Sequence, residues 1–435
     1  MSNQFLEIES EITSQYLYDE NVNRPWIIGF SGGKDSTLLL QLVWNALRKI
    51  PKELRNREIH VVCNNTLVEN PRILTFIDRT LEKIQEAASS SDIPIIVHQT
   101  TPELEDSFWT NLIGRGYPAP INNFRWCTDR LKIKPTTKYI QSIIEKRGEA
   151  IILLGTRSDE SSTRARSMKK HEKYGQDRLR KHVLPNAFVY APIKDITTNQ
   201  LWQYLMQMSP PWGGTHKELV TLYRNANSDD CPLVIDNTTP SCGNSRFGCW
   251  VCTVVKKDKS MEGLIDNGED WMLPLVEIRN LIADYRNDPE WREEFRKNGM
   301  PGPGPYKEWV RAMLLEKILE AQYEIQQDQP EMILIKHQEL VAIQLAWYRD
   351  GLFKNKVSEI FNRVYKKEIV MGEHEEKLRR EEELLRKSCN GNDRDFELIA
   401  DLLKLQKTKS LMKRKRGLHD DIQSRINGYL KEAKK

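Results

Sequence analysis

Phe30-Ser-Gly-Gly-Lys-Asp-Ser-Thr37 follows the apolar run Trp26-Ile-Ile-Gly29 and precedes Leu38-Leu-Leu-Gln-Leu42. This pattern predicts a strand, a tight glycine-rich turn carrying a lysine, and a helix start. Helix N-termini offer unpaired backbone N–H groups and the positive end of a dipole, and adjacent glycines let an anion come close to the backbone. Ser31, Gly32, Gly33, Lys34, Asp35, Ser36 and Thr37 are therefore candidate phosphate-binding residues. Lys34 supplies charge, the hydroxyls donate, and Asp35 is a candidate Mg²⁺ ligand. A Walker A loop is excluded because Gly33-Lys34 is followed by Asp35, and Gly-x-Gly-x-x-Gly is absent. The plain alternative is a Gly/Ser-rich surface turn, which the strand-turn-helix setting disfavours.

Working outward, four short apolar runs read as buried parallel strands: Trp26–Phe30, Glu58–Cys63, Pro94–Gln99 and Ala150–Gly155. Helical stretches alternate with them (Thr37–Ile50, Arg72–Ala88, Thr136–Lys146), and a fifth strand near Val189–Pro192 precedes a helix beginning around Thr197. Alternation of this kind predicts an α/β fold, a doubly wound and mostly parallel sheet. Ligands of such sheets bind beyond the carboxyl ends of the strands, here Ser31–Ser36, Asn64–Glu69, Thr100–Glu103 and Gly155–Arg164. Pro210-Pro-Trp-Gly-Gly214 opens a cysteine-rich stretch, and the chain turns helical again after Trp271. The expected organisation is a nucleotide domain over 1–205, a Cys-rich region over 206–262 and a helical region with a basic tail over 263–435.

Of the 435 residues, 39% are hydrophobic and 29% charged. The first twenty residues are acidic and lack the basic-then-apolar pattern of a leader, and no apolar run approaches the ~18 residues of a membrane span. A cytoplasmic location away from membranes is expected. The net charge of +4 hides an asymmetry. Lys404–Lys435 carries eleven Lys/Arg against three Asp/Glu, and Arg164–His182 carries eight against two. Two basic patches on an otherwise slightly acidic chain point to a polyanion, with Arg178, Arg180, Lys181, Lys413, Arg414, Lys415 and Arg416 as candidate nucleic-acid contacts. Solvated helix faces are the alternative for either patch alone.

Gly155-Thr-Arg-Ser-Asp-Glu160 and the Ser-Ser-Thr-Arg164 after it follow the fourth strand and face the same crevice as the first loop. Arg157 and Arg164 are candidate phosphate clamps; Asp159 and Glu160 are candidates to orient metal or ribose.

Cys231, Cys242, Cys249 and Cys252 fall within 22 residues at C-x10-C-x6-C-x2-C spacing. Such a set suits metal ligation, by a [4Fe–4S] cluster or by zinc. One C-x2-C knuckle, where zinc ribbons usually show two, favours the cluster. A lone redox pair, Cys249 with Cys252, would leave the other two cysteines idle. Cys127 lies between Arg125 and Arg130 just before a helix, a setting that lowers a thiol pKa and suits a persulfide-carrying nucleophile. A buried structural cysteine is the alternative. Cys63 reads as core, and Cys389 has no partner motif.

Ser31–Ser36 resembles the pyrophosphate loop of the ATP pyrophosphatase superfamily, of adenine nucleotide alpha hydrolase-like fold, and Gly155–Arg164 resembles the matching segment of phosphoadenylyl-sulfate reductases. Much of the chain goes further. Asn65-Thr-Leu-Val-Glu-Asn-Pro71, Arg125-Trp-Cys-Thr128, Pro210-Pro-Trp-Gly213, Cys231-Pro-Leu-Val234 and Pro240-Ser-Cys242 through Arg246-Phe-Gly-Cys-Trp-Val-Cys252 resemble the DndC family of DNA phosphorothioation sulfurtransferases. The resemblance implies ATP cleavage to AMP and pyrophosphate, a [4Fe–4S] cluster, and a cysteine desulfurase as sulfur donor. It also implies DNA and other phosphorothioation-system proteins as partners. In that frame Lys34, Asp35, Cys127, Arg157 and Arg164 are the candidate catalytic residues, ATP lies on both loops, and Asp35 holds Mg²⁺. Asn65 departs from the family's aspartate, which counts against a metal role there. A reductase is disfavoured because no cysteine follows Asn390. A tRNA-thiolating enzyme and a non-catalytic, ATP-gated DNA-binding subunit remain as alternatives.

Overall fold

The computed structural model describes residues 3–21, 23–160, 179–226, 248–297, 299–352, 354–367, 383–390 and 392–410, together with 422, 423, 426 and 429. Contacts divide the chain into two compact units, 1–103 with 120–279 and 104–119 with 280–435.

The first unit is built on a six-stranded sheet in the order β3-β2-β1-β4-β6-β5. Its strands are β1 (Trp26–Gly29), β2 (Ile59–Asn64), β3 (Ile95–Thr100), β4 (Ala150–Leu153), β5 (Arg180–Lys181) and β6 (Ala187–Tyr190). Neighbours pair in parallel, with Trp26 opposite both Ile59 and Ile151, and only β5 runs antiparallel, against β6. Successive strand side chains point to opposite faces, and the core that each side chain joins alternates with that period of two. Trp26, Ile28, Val61, Cys63, Ile151 and Leu153 enter one core with α1 (Asn3–Leu17), α2 (Lys34–Lys49) and α3 (Pro71–Ser90). Ile27, Val62 and Ile152 enter the other, against Ile140 and Ile143 of α5 (Lys134–Arg147), which follows a short α4 (Trp126–Thr128). Helices on both faces make the sheet doubly wound, as expected.

Local sequence sets the helix ends. Asn70 caps α3, its side chain accepting from the Arg72 and Ile73 N–H groups, with Pro71 at the first helical position. Gly148 ends α5 at φ +84°, a conformation that suits glycine. From Leu38 to Leu47, α2 buries eight apolar side chains, the leucines and Val43 each worth about 1.5–3 kcal/mol, which anchors its N-terminal turn.

The second unit is helical, with Glu308–Asp328, His337–Asp350, Val357–Tyr365 and Asp393–Ser410. Its early contribution, the π-turn Thr110–Gly114, is held by Trp347 Nε1 donating to the Ile113 carbonyl at 3.0 Å and by Arg311 Nη1 donating to Gly114 at 3.1 Å. No described helix is long and apolar enough to cross a membrane.

Candidate nucleotide and sulfur site

The sheet places the loops after β1, β2 and β4 side by side, because those three strands are adjacent. In the loop after β1, Gly32 sits at φ +72°, and a Cβ there would stand 2.6 Å from Ile77 Cγ1. Ser31 N–H donates to Ser36 Oγ at 3.2 Å, and Ser36 Oγ donates to the Gly33 carbonyl at 3.0 Å, so the turn is knitted by its own hydroxyls. Thr37 N–H closes the first helical bond on the Gly33 carbonyl. Lys34 is buried at 6% exposure; its Nζ lies 3.1 Å from Asp35 Oδ2.

The loop after β4 reaches this turn from the neighbouring strand. A Cβ on Gly155 would meet the Asp35 backbone carbonyl at 3.0 Å, so only glycine lets the two loops come this close. Arg157 is fully buried. Its Nε donates to Asp35 Oδ1 at 2.5 Å, while Nη1 donates to the Ile196 carbonyl at 3.0 Å and to Thr198 Oγ1 at 3.3 Å. This changes the reading of both residues. Arg157 is spent on internal partners rather than turned outward as a phosphate clamp. Asp35, paired with a guanidinium on one oxygen and an ammonium on the other, is already neutralised and does not fit a Mg²⁺ ligand; its geometry orients Lys34. Asp159 accepts from Thr198 N–H and Oγ1 at 2.8 and 2.9 Å, and Glu160 ends a 3₁₀ turn beside it.

The described part of the cysteine-rich region folds back on the loop after β2. Glu69 and Cys249 form a β-bridge; Asn70 N–H donates to the Gly248 carbonyl and Trp250 N–H to the Val68 carbonyl. Cys252 N–H donates to the Cys249 carbonyl at 3.1 Å, closing a knuckle that carries both thiols. Arg279 Nε donates to the Cys252 carbonyl at 3.1 Å. Cys249 Sγ and Thr66 Oγ1 share a hydrogen bond at 3.2 Å, Thr66 Oγ1 donates to Glu69 Oε1 at 3.0 Å, and Lys132 Nζ lies 3.6 Å from the same carboxylate oxygen. Burial, and then Glu69, push the Cys249 thiol up to about 12. The nearby Cys249 sulfur, then Glu69 and Cys127, raise the pKa of the half-buried Lys132 ammonium against the cost of its burial.

Cys127 lies on α4, ahead of a π-turn, Asp129–Ile133, that carries Lys132. Its thiol pKa is raised, first by burial and then by Cys252, where flanking cations suggest lowering. The reason is burial, which penalises the thiolate and outweighs the flanking cations; Arg125 Nη2 donates to Asn122 Oδ1 at 2.8 Å. Asn65 uses its Oδ1 to accept the Leu67 N–H at 2.9 Å, which holds a turn. Cys63 is core, with its thiol pushed up to about 12 by burial.

Arg164, Arg178, Cys231, Cys242, Lys413, Arg414, Lys415 and Arg416 lie outside the described residues. Among the described residues, no group of three or more His, Cys, Asp or Glu is arranged to hold a metal ion. The two thiols of the knuckle nonetheless fit a soft, thiolate-seeking metal in their donor chemistry. Sequence reasoning assigned no role to Thr66, Glu69, Lys132 or Arg279. Three of them stand inside motifs it quoted or beside them, but nothing in their spacing marked them as neighbours of Cys249. Tyr223, which accepts the Lys34 N–H at 3.2 Å, carried no signal at all.

A model of the phosphoadenosine phosphosulfate reductase domain matches residues 25–255, more than half of the chain. The chain belongs to this family. An uncharacterized protein of Methanocaldococcus jannaschii is 26% identical over 284 residues, 64% of this chain and 48% of that protein, so the chain spans about half the length of this curated relative. Among solved structures, a phosphoadenylyl-sulfate reductase from Candida auris has a TM-score of 0.28 at 12% identity, over 48% of this chain and 86% of that one. The U34-tRNA thiolase NcsA from Methanococcus maripaludis, with its [4Fe-4S] cluster, has a TM-score of 0.30 at 15% identity, over 66% and 79%. Likenesses this loose add nothing to the fold argument, which rests on the sheet itself.

Proposed function

We propose that this protein is an ATP-dependent sulfurtransferase of the DndC kind, replacing a non-bridging oxygen of a DNA phosphate with sulfur. The observation carrying this reading is adjacency. The loops after β1 and β4 meet at Gly155 and Asp35, and the Cys249–Cys252 knuckle is bridged to the loop after β2, one strand over. A nucleotide loop and thiols at neighbouring strand ends suit a reaction that activates a phosphate and then delivers sulfur to it.

A phosphodiester oxygen is a poor leaving group. In the proposed course the DNA oxygen attacks the α phosphorus of ATP, and the bond to pyrophosphate breaks. Lys34, supported by Asp35 and with it Arg157, neutralises charge on the departing pyrophosphate, and Arg164 is assigned the same task. The terminal sulfur of a Cys127 persulfide, charged by a cysteine desulfurase, then attacks the DNA phosphorus and AMP leaves. A second thiol cleaves the remaining sulfur–sulfur bond, and an external thiol reductant restores the pair. Mg²⁺ travels with the ATP phosphates. Cys249 and Cys252, with Cys231 and Cys242, would hold a [4Fe–4S] cluster; with all four irons ligated by thiolates it would supply an electron-transfer centre. Arg178, Arg180, Lys181 and Lys413–Arg416 are the proposed DNA-phosphate contacts, with other phosphorothioation proteins as partners and the cytoplasm as the compartment.

The test is AMP and pyrophosphate formation by anaerobically purified protein with duplex DNA or with tRNA. Stimulation by DNA is expected. Stimulation by tRNA alone would favour tRNA thiolation, and no turnover would favour a non-catalytic ATP-gated subunit.

A further inference from the structure

We infer that Tyr223 is part of the phosphate site, its hydroxyl holding the place of a phosphate oxygen until ligand arrives. The inference rests on reading the loop after β1 as a phosphate loop.

In such a loop the first N–H groups of the helix are what an anion takes. At the first helical residue of α2 that donor is engaged. Lys34 N–H donates to Tyr223 Oη at 3.2 Å, from the helix Lys217–Ala226, 189 positions further along the chain. The hydroxyl is close to the turn itself, 3.1 Å from where a Cβ on Gly33 would stand. Its ring also lies beneath the lysine, with Lys34 Nζ 5.3 Å from the ring centroid. One side chain therefore covers both groups that a phosphate would use, the backbone donor and the ammonium.

Tyr223 is held from behind rather than wedged. Its ring meets Trp202 edge-on at 5.1 Å, and it packs against the same core as α2. A purely structural tyrosine there would need only its ring. The hydroxyl has a polar partner because the helix N-terminus would otherwise keep an unsatisfied donor. When phosphate enters, the bond to Lys34 N–H passes from the hydroxyl to a charged oxygen, a stronger acceptor, and Tyr223 moves aside.

The experiment is calorimetric titration of the full chain with inorganic pyrophosphate, comparing wild type with Tyr223→Phe. The ring stays and the competing oxygen goes, so the variant is expected to bind pyrophosphate about threefold to tenfold more tightly, the size of one hydrogen bond's net contribution. Its melting temperature without ligand should fall by about 1–4 °C, because the same lost bond destabilises the free form. Unchanged or weaker binding by Tyr223→Phe, with wild type binding normally, overturns the assignment to Tyr223 alone. Failure of wild type to bind pyrophosphate overturns the phosphate-loop reading, and the Tyr223 inference with it.

Discussion

Arg157 Nε donates to Asp35 Oδ1 across 2.5 Å, and this bond ties the loop after β4 to the first turn of α2. The guanidinium is fully buried, and its other nitrogens are spent on Ile196 and Thr198. Arg157→Ala would leave the Asp35 carboxylate and the Ile196 carbonyl without their partner. A loss of about 2–4 kcal/mol in urea unfolding is expected, with ATP turnover falling at least as steeply. Arg157→Lys should rescue the charge but not the forked geometry, recovering stability only in part.

Gly155→Ala isolates the approach of the two loops. The added Cβ meets the Asp35 backbone at 3.0 Å, so the loops must part by a few tenths of an ångström. The expected result is a loss of about tenfold in ATP turnover, about 1.4 kcal/mol of barrier, with an unchanged far-ultraviolet circular dichroism spectrum. Wild-type turnover in that variant would show that the loops do not act together.

Iron content tests the knuckle separately from the nucleotide loops. Anaerobically purified protein should contain iron and labile sulfide and absorb broadly near 400 nm, and Cys249→Ser and Cys252→Ser should each abolish that absorption. Zinc without iron would make the site structural. ATP binding should survive both substitutions.

The acid limit of stability should be set partly by His216. It is buried, its Nε2 lies 2.8 Å from Gln41 Oε1, and burial depresses its pKa to about 4. An unfolded chain takes up that proton near pH 6.5, before the folded one does. Stability is therefore complete above about pH 6.5 and falls as pH drops toward 4, by on the order of 3 kcal/mol from this group. In thermal melts from pH 7.5 to 4.5, His216→Gln should flatten that slope; an unchanged slope would assign it elsewhere.

The sheet was legible because its central strands are buried on both faces and read as unbroken apolar runs bounded by loops with chemical character. β5 was not, since Arg180-Lys181 has no apolar pattern to mark its antiparallel pairing with β6. Leu104–Ala119 falls within the nucleotide domain expected over 1–205. The burial of Phe108, Trp109, Leu112 and Ile113 belongs instead to the other unit, a long-range relationship that periodicity does not carry. At the site, the place of Gly155 and Arg157 directly after the fourth strand told that the second loop faces the first, but not which way the arginine turns. For Cys127 the neighbours in sequence suggested a lowered thiol pKa, and burial reversed it. Tyr223 reached the phosphate loop only through folding.

The central claim is that ATP cleavage and sulfur delivery to DNA take place in this one protein. The direct measurement supplies ³⁵S-cysteine, a cysteine desulfurase, partner phosphorothioation proteins and ATP, with duplex DNA and tRNA present together, and follows the label. The account predicts ³⁵S in DNA at phosphorothioate linkages, AMP formed in step with it, and neither product from Lys34→Ala. Label in tRNA, or AMP formed while DNA remains unlabelled, would contradict it.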